Sequence, residues 1–329
     1  VGAGDFGSSV LIPYLAKQPA ISLRGLCAAS GLRAQHLAKQ HGFAFCTAEL
    51  DELLADEETD AVIVATRHNL HAEYVCRVLR AGRPVFVEKP LAISVEQLAT
   101  AAAEMLARPG RTLVGFNRRF APLALRLRNH FAGRSPLLMH YRVNAGPLDR
   151  SSWLNDPIEG GCRVLGEACH FVDFMTFLAS ARPTVVCAAA LPTRSGSPVE
   201  DVAVTIEFEH GSVGHLMYSG QGDRAFSKER VEVFGGGRVG VLDDFRGLTL
   251  VSNGRRRHRT FRQDKGHQGE LAVFATAVAG GQLQPIDDRT ILATSLATLA
   301  IPRSVAERRP VALDELWPEI LPDMTRAAA

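Results

Sequence analysis

Apolar and polar positions along this chain follow two different periods, and the change between them divides it. In the first third, short apolar runs are separated by stretches with helical spacing. Ile21–Ala28 (ISLRGLCA), Ala61–Ala65 (AVIVA), Pro84–Val87 (PVFV) and Thr112–Phe116 read as strands. The runs AVIVA and PVFV are apolar throughout, as strands are when both sheet faces are covered. Ser9–Lys17, Arg33–His41, Leu50–Leu54, His71–Ala81 and Ser94–Leu106 read as helices. Two of these stop at glycines, Gly42 and Gly82, which accept a left-handed cap. Ser94 with Gln97 three residues on has the form of a capping box. Strand and helix in alternation, joined by short loops, predict a doubly wound parallel sheet.

After about Asn117 the period shortens. A helix over Leu123–Phe131 leads into a long β-like run, Leu137–Asn144, and a glycine-flanked helix follows over Gly161–Leu178. Strands are then predicted at Val185–Leu191, Val202–Phe208, Ser212–Tyr218, Arg230–Phe234, Val239–Leu242 and Leu248–Val251. Val202, Val204, Ile206 and Phe208 alternate with more polar residues, which implies a largely antiparallel sheet with one wet face. Helices over Glu270–Ala279 and Thr290–Glu307 close the chain. The expected organisation is therefore α/β over residues 1–118 and α+β over 119–329.

Composition narrows the function. Of 329 residues 46% are hydrophobic and 22% charged, as in a folded chain rather than a disordered one. Lys and Arg number 37 against 35 Asp and Glu, a net charge of +2, so no global field favours nucleic acid or an anionic membrane. No apolar stretch reaches the roughly 18 residues of a membrane span. The six cysteines include no CxxC pair, which argues against a metal site and for reduced thiols in the cytoplasm. The one basic cluster, Arg255-Arg256-Arg257-His258-Arg259, reads as an edge strand kept solvated by charge. The chain starts at Val1, almost inside a glycine motif, which suggests a piece of a longer polypeptide whose first strand is truncated.

That motif, Gly2-Ala3-Gly4-Asp5-Phe6-Gly7, fits GxGxxG. Such glycines permit a tight turn and close approach of a pyrophosphate to a helix N-terminus. The acidic residue expected some 20 positions on, to hold a ribose 2′-hydroxyl, is absent between Ile21 and Arg33. Ser30 and Arg33 stand there instead. Either they receive a 2′-phosphate, favouring NADP over NAD, or Arg33 points only into solvent. Val87-Glu88-Lys89-Pro90 places a lysine at the carboxyl end of a buried strand, where ligands bind in such sheets, and Pro90 keeps Lys89 out of the helical region. Glu167, His170 and Asp173 are spaced to lie near one helical face. A histidine near neutrality suits proton removal from an alcohol.

GAGDFG, ATRHNLHAEYVCRVLRAGRPVFVEKPLA (Ala65–Ala92), VGFNRRFAP (Val114–Pro122), Trp153 and GGCRVLGEACHFVD (Gly160–Asp173), in that order, resemble the glucose–fructose oxidoreductase, inositol dehydrogenase and rhizopine-catabolism (Gfo/Idh/MocA) family. The wording is most similar to a subgroup often fused behind an alcohol-dehydrogenase-like domain in polysaccharide gene clusters. The resemblance implies a Rossmann domain, then an open-faced sheet that meets substrate and often a second subunit, giving a homo-oligomer. It implies Lys89 in contact with nicotinamide ribose and substrate, and His170 as the acid–base histidine. Thr66, Asn69, His71, Glu88 and Asn117 would line the cofactor cleft, and Arg118 or Arg119, Trp153 and Asp173 the substrate. Many members carry an aspartate four residues before the histidine; here that position is Gly166. Glu167 substitutes for it, or Lys89 and His170 act without it, or hydride chemistry is lost. The expected activity is hydride transfer between NAD or NADP and a secondary alcohol or ketone of a sugar, nucleotide sugar or cyclitol. The competing expectation is a catalytically silent dinucleotide sensor or scaffold.

Overall fold

The computed structural model describes residues 1–19, 21–149, 151–192, 200–282 and 284–321. The first domain carries five short parallel strands: β1 (Gly25–Cys27), β2 (Phe45–Thr47), β3 (Val62–Val64), β4 (Val85–Val87) and β5 (Thr112–Val114). β1 pairs with β2, and β4 lies between β3 and β5. Val1 and Gly2 join the two ladders. The Gly2 N–H donates to the Cys27 carbonyl and the Ala65 N–H to the Val1 carbonyl, each at 2.8 Å. Helices α1 (Ile12–Leu15, continuing a π-helical turn over Gly7–Leu11), α2 (Gly31–His41), α3 (Leu50–Ala55), α4 (His71–Arg80) and α5 (Val95–Ala107) connect the strands. Val85, Phe86 and Val87 are fully buried, as the uninterrupted apolar run requires.

The punctuation of these elements follows the sequence. Gly42 and Gly82 both take positive φ, 75° in each case, just past their helices. Ser94 Oγ accepts from the Gln97 N–H at 3.2 Å, while the Gln97 amide reaches back to the Ile93 N–H rather than to Ser94. Ile21–Ala28 is shorter than expected. The Ile21 N–H turns back to the Gln18 carbonyl, so only Gly25–Cys27 enters the ladder.

The second domain is built on nine strands. They are β6 (Leu138–Asn144), β7 (Pro183–Ala190), β8 (Val202–Phe208), β9 (Val213–Ser219), β10 (Glu229–Gly235), β11 (Arg238–Asp243), β12 (Gly247–Ser252), β13 (Arg255–Thr260) and β14 (Val311–Ala312). Their order is β13-β12-β11-β10-β6-β9-β8-β7-β14. Every pair is antiparallel except β6 with β9. In β8 the four alternating apolar residues are buried. Helices α6 (Pro122–His130), α7 (Arg163–Ala179), α8 (His267–Ala279), α9 (Asp288–Glu307) and α10 (Trp317–Ile320) complete the chain. Phe171 and Phe174 of α7 meet Tyr141 of β6 edge-on at 4.9 and 5.7 Å, which covers one sheet face. The other face is open: Leu138, Met217 and Phe234 are exposed, and His140 stacks on His215 at 5.4 Å.

The end of the chain returns to the first domain. Phe274 of α8 packs on Phe86 at 5.8 Å, and the Gly110 N–H donates to Asp288 Oδ2 at 2.7 Å. No helix among the described residues is long and apolar enough to cross a membrane. All six cysteines are free, with Cys27, Cys76 and Cys169 buried and Cys187 exposed.

Candidate active site

The carboxyl edge of the parallel sheet carries the site. At its amino-terminal end Gly2 has φ +93°, and a Cβ there would stand 2.2 Å from the Ala65 carbonyl oxygen. Only glycine fits this turn. A Cβ at Gly7 would lie 3.3 Å from the Gly2 oxygen, whereas nothing stands within 4 Å of one at Gly4. The loop is closed on the sheet side and open on the other, which is the cradle that a dinucleotide pyrophosphate needs at a helix start. Phe6 reaches out of the loop to His267 of α8, with ring centroids 5.8 Å apart. Asp5 is exposed and holds Arg33 at 2.8 Å, so the two residues meet at the rim of the cradle. Ser30 precedes α2 and makes no side-chain capping bond.

The segment after β3 supplies the next wall. His71 is buried, with Nδ1 2.7 Å from the Pro90 carbonyl and Nε2 3.3 Å from the Thr66 carbonyl. Burial lowers it to about 4, so the ring is neutral, and its single N–H donates to one of these carbonyls, the nearer being Pro90. The Asn69 Oδ1 is buried without a partner among the described residues. Asn117 donates to the Lys265 carbonyl at 2.8 Å and lies 3.2 Å from His267 Nε2. Burial, with Arg118 and Lys265 nearby, lowers His267 to about 4. Glu88 is buried over Gly115, and burial raises its carboxyl well above the carboxylate range. Glu270 on α8 is fully buried, neither of its oxygens has a hydrogen-bond partner among the described residues, and burial raises it in the same direction.

Lys89 follows, on a cis peptide to Pro90. Its Nζ donates to the Gly166 carbonyl at 3.0 Å. Gly166 is one helical turn before His170 on α7, so the ammonium of one domain meets the histidine-bearing helix of the other. Burial, then the cations Arg118 and Lys89, hold His170 far below the ordinary histidine value. The ring is a neutral base, and its Nδ1 has no partner among the described residues.

Other residues expected at the substrate are engaged with protein partners. Glu167 is 3.2 Å from both Arg163 and Lys228 and makes no bond to His170. Lys228, Lys89 and Arg163 outweigh its burial and keep it ionised. Asp173 is fully buried against Arg119, whose Nε donates to Oδ2 at 2.9 Å. Arg118 is paired bidentately with Glu229 at 2.7 and 2.9 Å. Trp153 lies under Arg67, 4.4 Å from ring to guanidinium carbon, and edge-on to His68 at 4.7 Å.

Gly166 stands where the resemblance leads one to look for aspartate. A Cβ there would be 2.7 Å from His68 Cε1. His68, His267, Glu229 and Glu270 carry no motif that spacing alone singles out. Of these, only His68 has a visible signal, since it lies in the loop that follows β3 at the sheet's ligand-binding edge.

A glycine cradle on a parallel sheet, a lysine at the next strand end and a neutral histidine from a second domain define a two-domain, dinucleotide-binding oxidoreductase. Residues 1–116 match the family described as "Oxidoreductase family, NAD-binding Rossmann fold", and residues 136–237 match the GFO/IDH/MocA C-terminal domain. An inositol 2-dehydrogenase of Saccharopolyspora erythraea is 32% identical over 70% of each chain. An inositol 2-dehydrogenase of Rhizobium meliloti is 25% identical over 85% of this chain and 88% of its own. Among solved structures, GenD2 from gentamicin A biosynthesis, in complex with NAD, has a TM-score of 0.78 at 24% identity, covering 94% of each chain. The chain belongs to the Gfo/Idh/MocA family of NAD-binding oxidoreductases.

Proposed function

We propose that this protein is an NAD(P)-dependent dehydrogenase or reductase acting on a secondary alcohol or ketone of a sugar, nucleotide sugar or cyclitol. The observation that supports the reading is the bond from Lys89 Nζ to the Gly166 carbonyl, which holds the ammonium against α7 one turn before His170. Gly2, Gly4, Asp5, Phe6 and Gly7 would hold the pyrophosphate, with Thr66, Asn69, His71, Glu88 and Asn117 along the dinucleotide. The nicotinamide, when bound, supplies hydride transfer. Lys89 orients the reacting hydroxyl and stabilises negative charge that develops on its oxygen. His170, held neutral, takes the hydroxyl proton in oxidation and returns it in reduction. Glu167 stays ionised beside Lys228 and contributes field rather than a proton. Ser30 and Arg33, standing where a ribose-binding carboxylate is expected, support NADP, whereas Asp5, 2.8 Å from the guanidinium, opposes a 2′-phosphate there and supports NAD. The open sheet face, with Leu138, Met217 and Phe234 exposed, supports a homo-oligomer. Six unbridged thiols support a cytoplasmic setting. The wording of the motifs supports fusion to an upstream alcohol-dehydrogenase-like domain, which the reading frame before Val1 would test.

A second reading has its own observation. Among the described residues His170 Nδ1 lacks the carboxylate partner that orients such a base, which suits a dinucleotide-binding sensor without turnover. Fluorescence titration with NADH and NADPH, followed by a turnover screen over sugars, nucleotide sugars and cyclitols, separates the two. Turnover supports the dehydrogenase; tight dinucleotide binding with no turnover across the panel favours the sensor; no binding of either dinucleotide refutes both.

A further inference from the structure

His68 is assigned no role by the motifs, yet it is buried and held by protein contacts on α7 and the loop before it. It is 4% exposed. Its Nδ1 is 3.1 Å from the Gly160 carbonyl, its ring meets Trp153 edge-on at 4.7 Å, and it fills the space where a Gly166 side chain would stand. The same Gly166 gives its carbonyl to Lys89. Imidazole and ammonium therefore approach one residue of α7 from two directions.

The state of the ring follows from its surroundings. Burial, and the charge of Lys89, push His68 down to about 3, so it is neutral. A carbonyl accepts only, so the proton sits on Nδ1, and Nε2 is left as an acceptor. That nitrogen has no hydrogen-bond partner among the described residues. An acceptor beside a lysine disfavours a carbonyl, which cannot donate, and an ammonium, which Lys89 repels. A hydroxyl satisfies both.

We propose that His68 Nε2 accepts a hydrogen bond from a second substrate hydroxyl, next to the one held by Lys89, and so selects ligands with adjacent hydroxyls. Gly166 is the partner of this choice, because any side chain there would displace the ring. The inference rests on the polyol dehydrogenase reading above.

The experiment distinguishes the two. NADH affinity is measured first by fluorescence; a wild-type chain that binds no dinucleotide overturns both. Next, myo-inositol, scyllo-inositol, D-glucose and D-xylose, each with its monodeoxy analogues, are titrated against the NADH complex and assayed for turnover. The wild type should lose about tenfold in affinity and kcat/KM when one hydroxyl beside the reacting carbon is removed. In His68→Phe that discrimination should fall to near one while NADH affinity holds. His68→Asn, which keeps an acceptor, should retain it. Gly166→Ala, whose methyl would stand 2.7 Å from Cε1, should lose it, and decides the matter if His68→Phe does not fold. An equal deoxy penalty in wild type and in the variants lacking the acceptor would overturn the proposal. So would a chain that binds NADH but none of the four polyols.

Discussion

Replacing Glu229 by glutamine should cost this fold more than any other single change of charge. Glu229 is 1% exposed and accepts from Arg118 Nε at 2.7 Å and Nη2 at 2.9 Å, from Tyr141 Oη at 2.6 Å and from Lys265 Nζ at 2.7 Å. It links the segment after β5, strand β6 and the loop before α8. Burial would raise its carboxyl; the Arg118 charge and hydrogen bonds, then Lys265, outweigh burial and hold it far below the usual range. Glutamine keeps the shape but removes the carboxylate paired with Arg118 and leaves Lys265 with Asp244 alone, 3.7 Å away. Breaking a buried pair this way typically costs about 3–5 kcal/mol. The amide oxygen retains some bonds, so about 3 kcal/mol is expected, a fall in Tm of roughly 4–5 °C for 329 residues melting as one unit. The effect has a sign with pH. A carboxyl whose folded value is depressed contributes fully above its ordinary value of 4.5 and loses that contribution as the solution becomes more acidic. The gap between wild type and Glu229→Gln should therefore be widest near neutral pH and narrow by about 2 kcal/mol at pH 3. Urea denaturation of both proteins at several pH values measures it. A variant as stable as wild type at neutral pH, or a gap that is the same at pH 3, would refute the argument.

Lys89→Ala should lower kcat at least about a hundredfold while NADH affinity changes little; unchanged turnover would exclude an essential role. Gly2→Ala should abolish dinucleotide binding, since the new Cβ would stand 2.2 Å from a carbonyl oxygen at φ +93°; intact NADH fluorescence enhancement would contradict the cradle. Arg33→Ala should weaken NADPH more than NADH in competitive titration, and equal losses would remove the 2′-phosphate argument.

The backbone plan was readable because the signals were strong where burial is complete. AVIVA and PVFV lie between covered faces, and Gly42, Gly82 and Ser94 mark ends that follow from local geometry alone. β14 escaped because Val311–Ala312 is too short to show a period, and it exists only through pairing with β7. β2 escaped because its three residues are half-buried and unremarkable. In the site, Lys89 and His170 were legible because each sits in a motif whose chemistry is local. The partners that hold Arg118 and Arg119 were not. Glu229 lies 111 residues from Arg118 in sequence, and only folding makes them neighbours. Gly166 shows the same limit: as a letter it reads as a missing carboxylate, whereas in space it is room for His68.

The return of the last helices to the first domain has a thermodynamic consequence. Phe274 on Phe86, Asp288 at Gly110 and α10 beside α5 couple the lobes far from the covalent crossover. The main buried core runs continuously through both lobes, so calorimetry should record one cooperative endotherm rather than two.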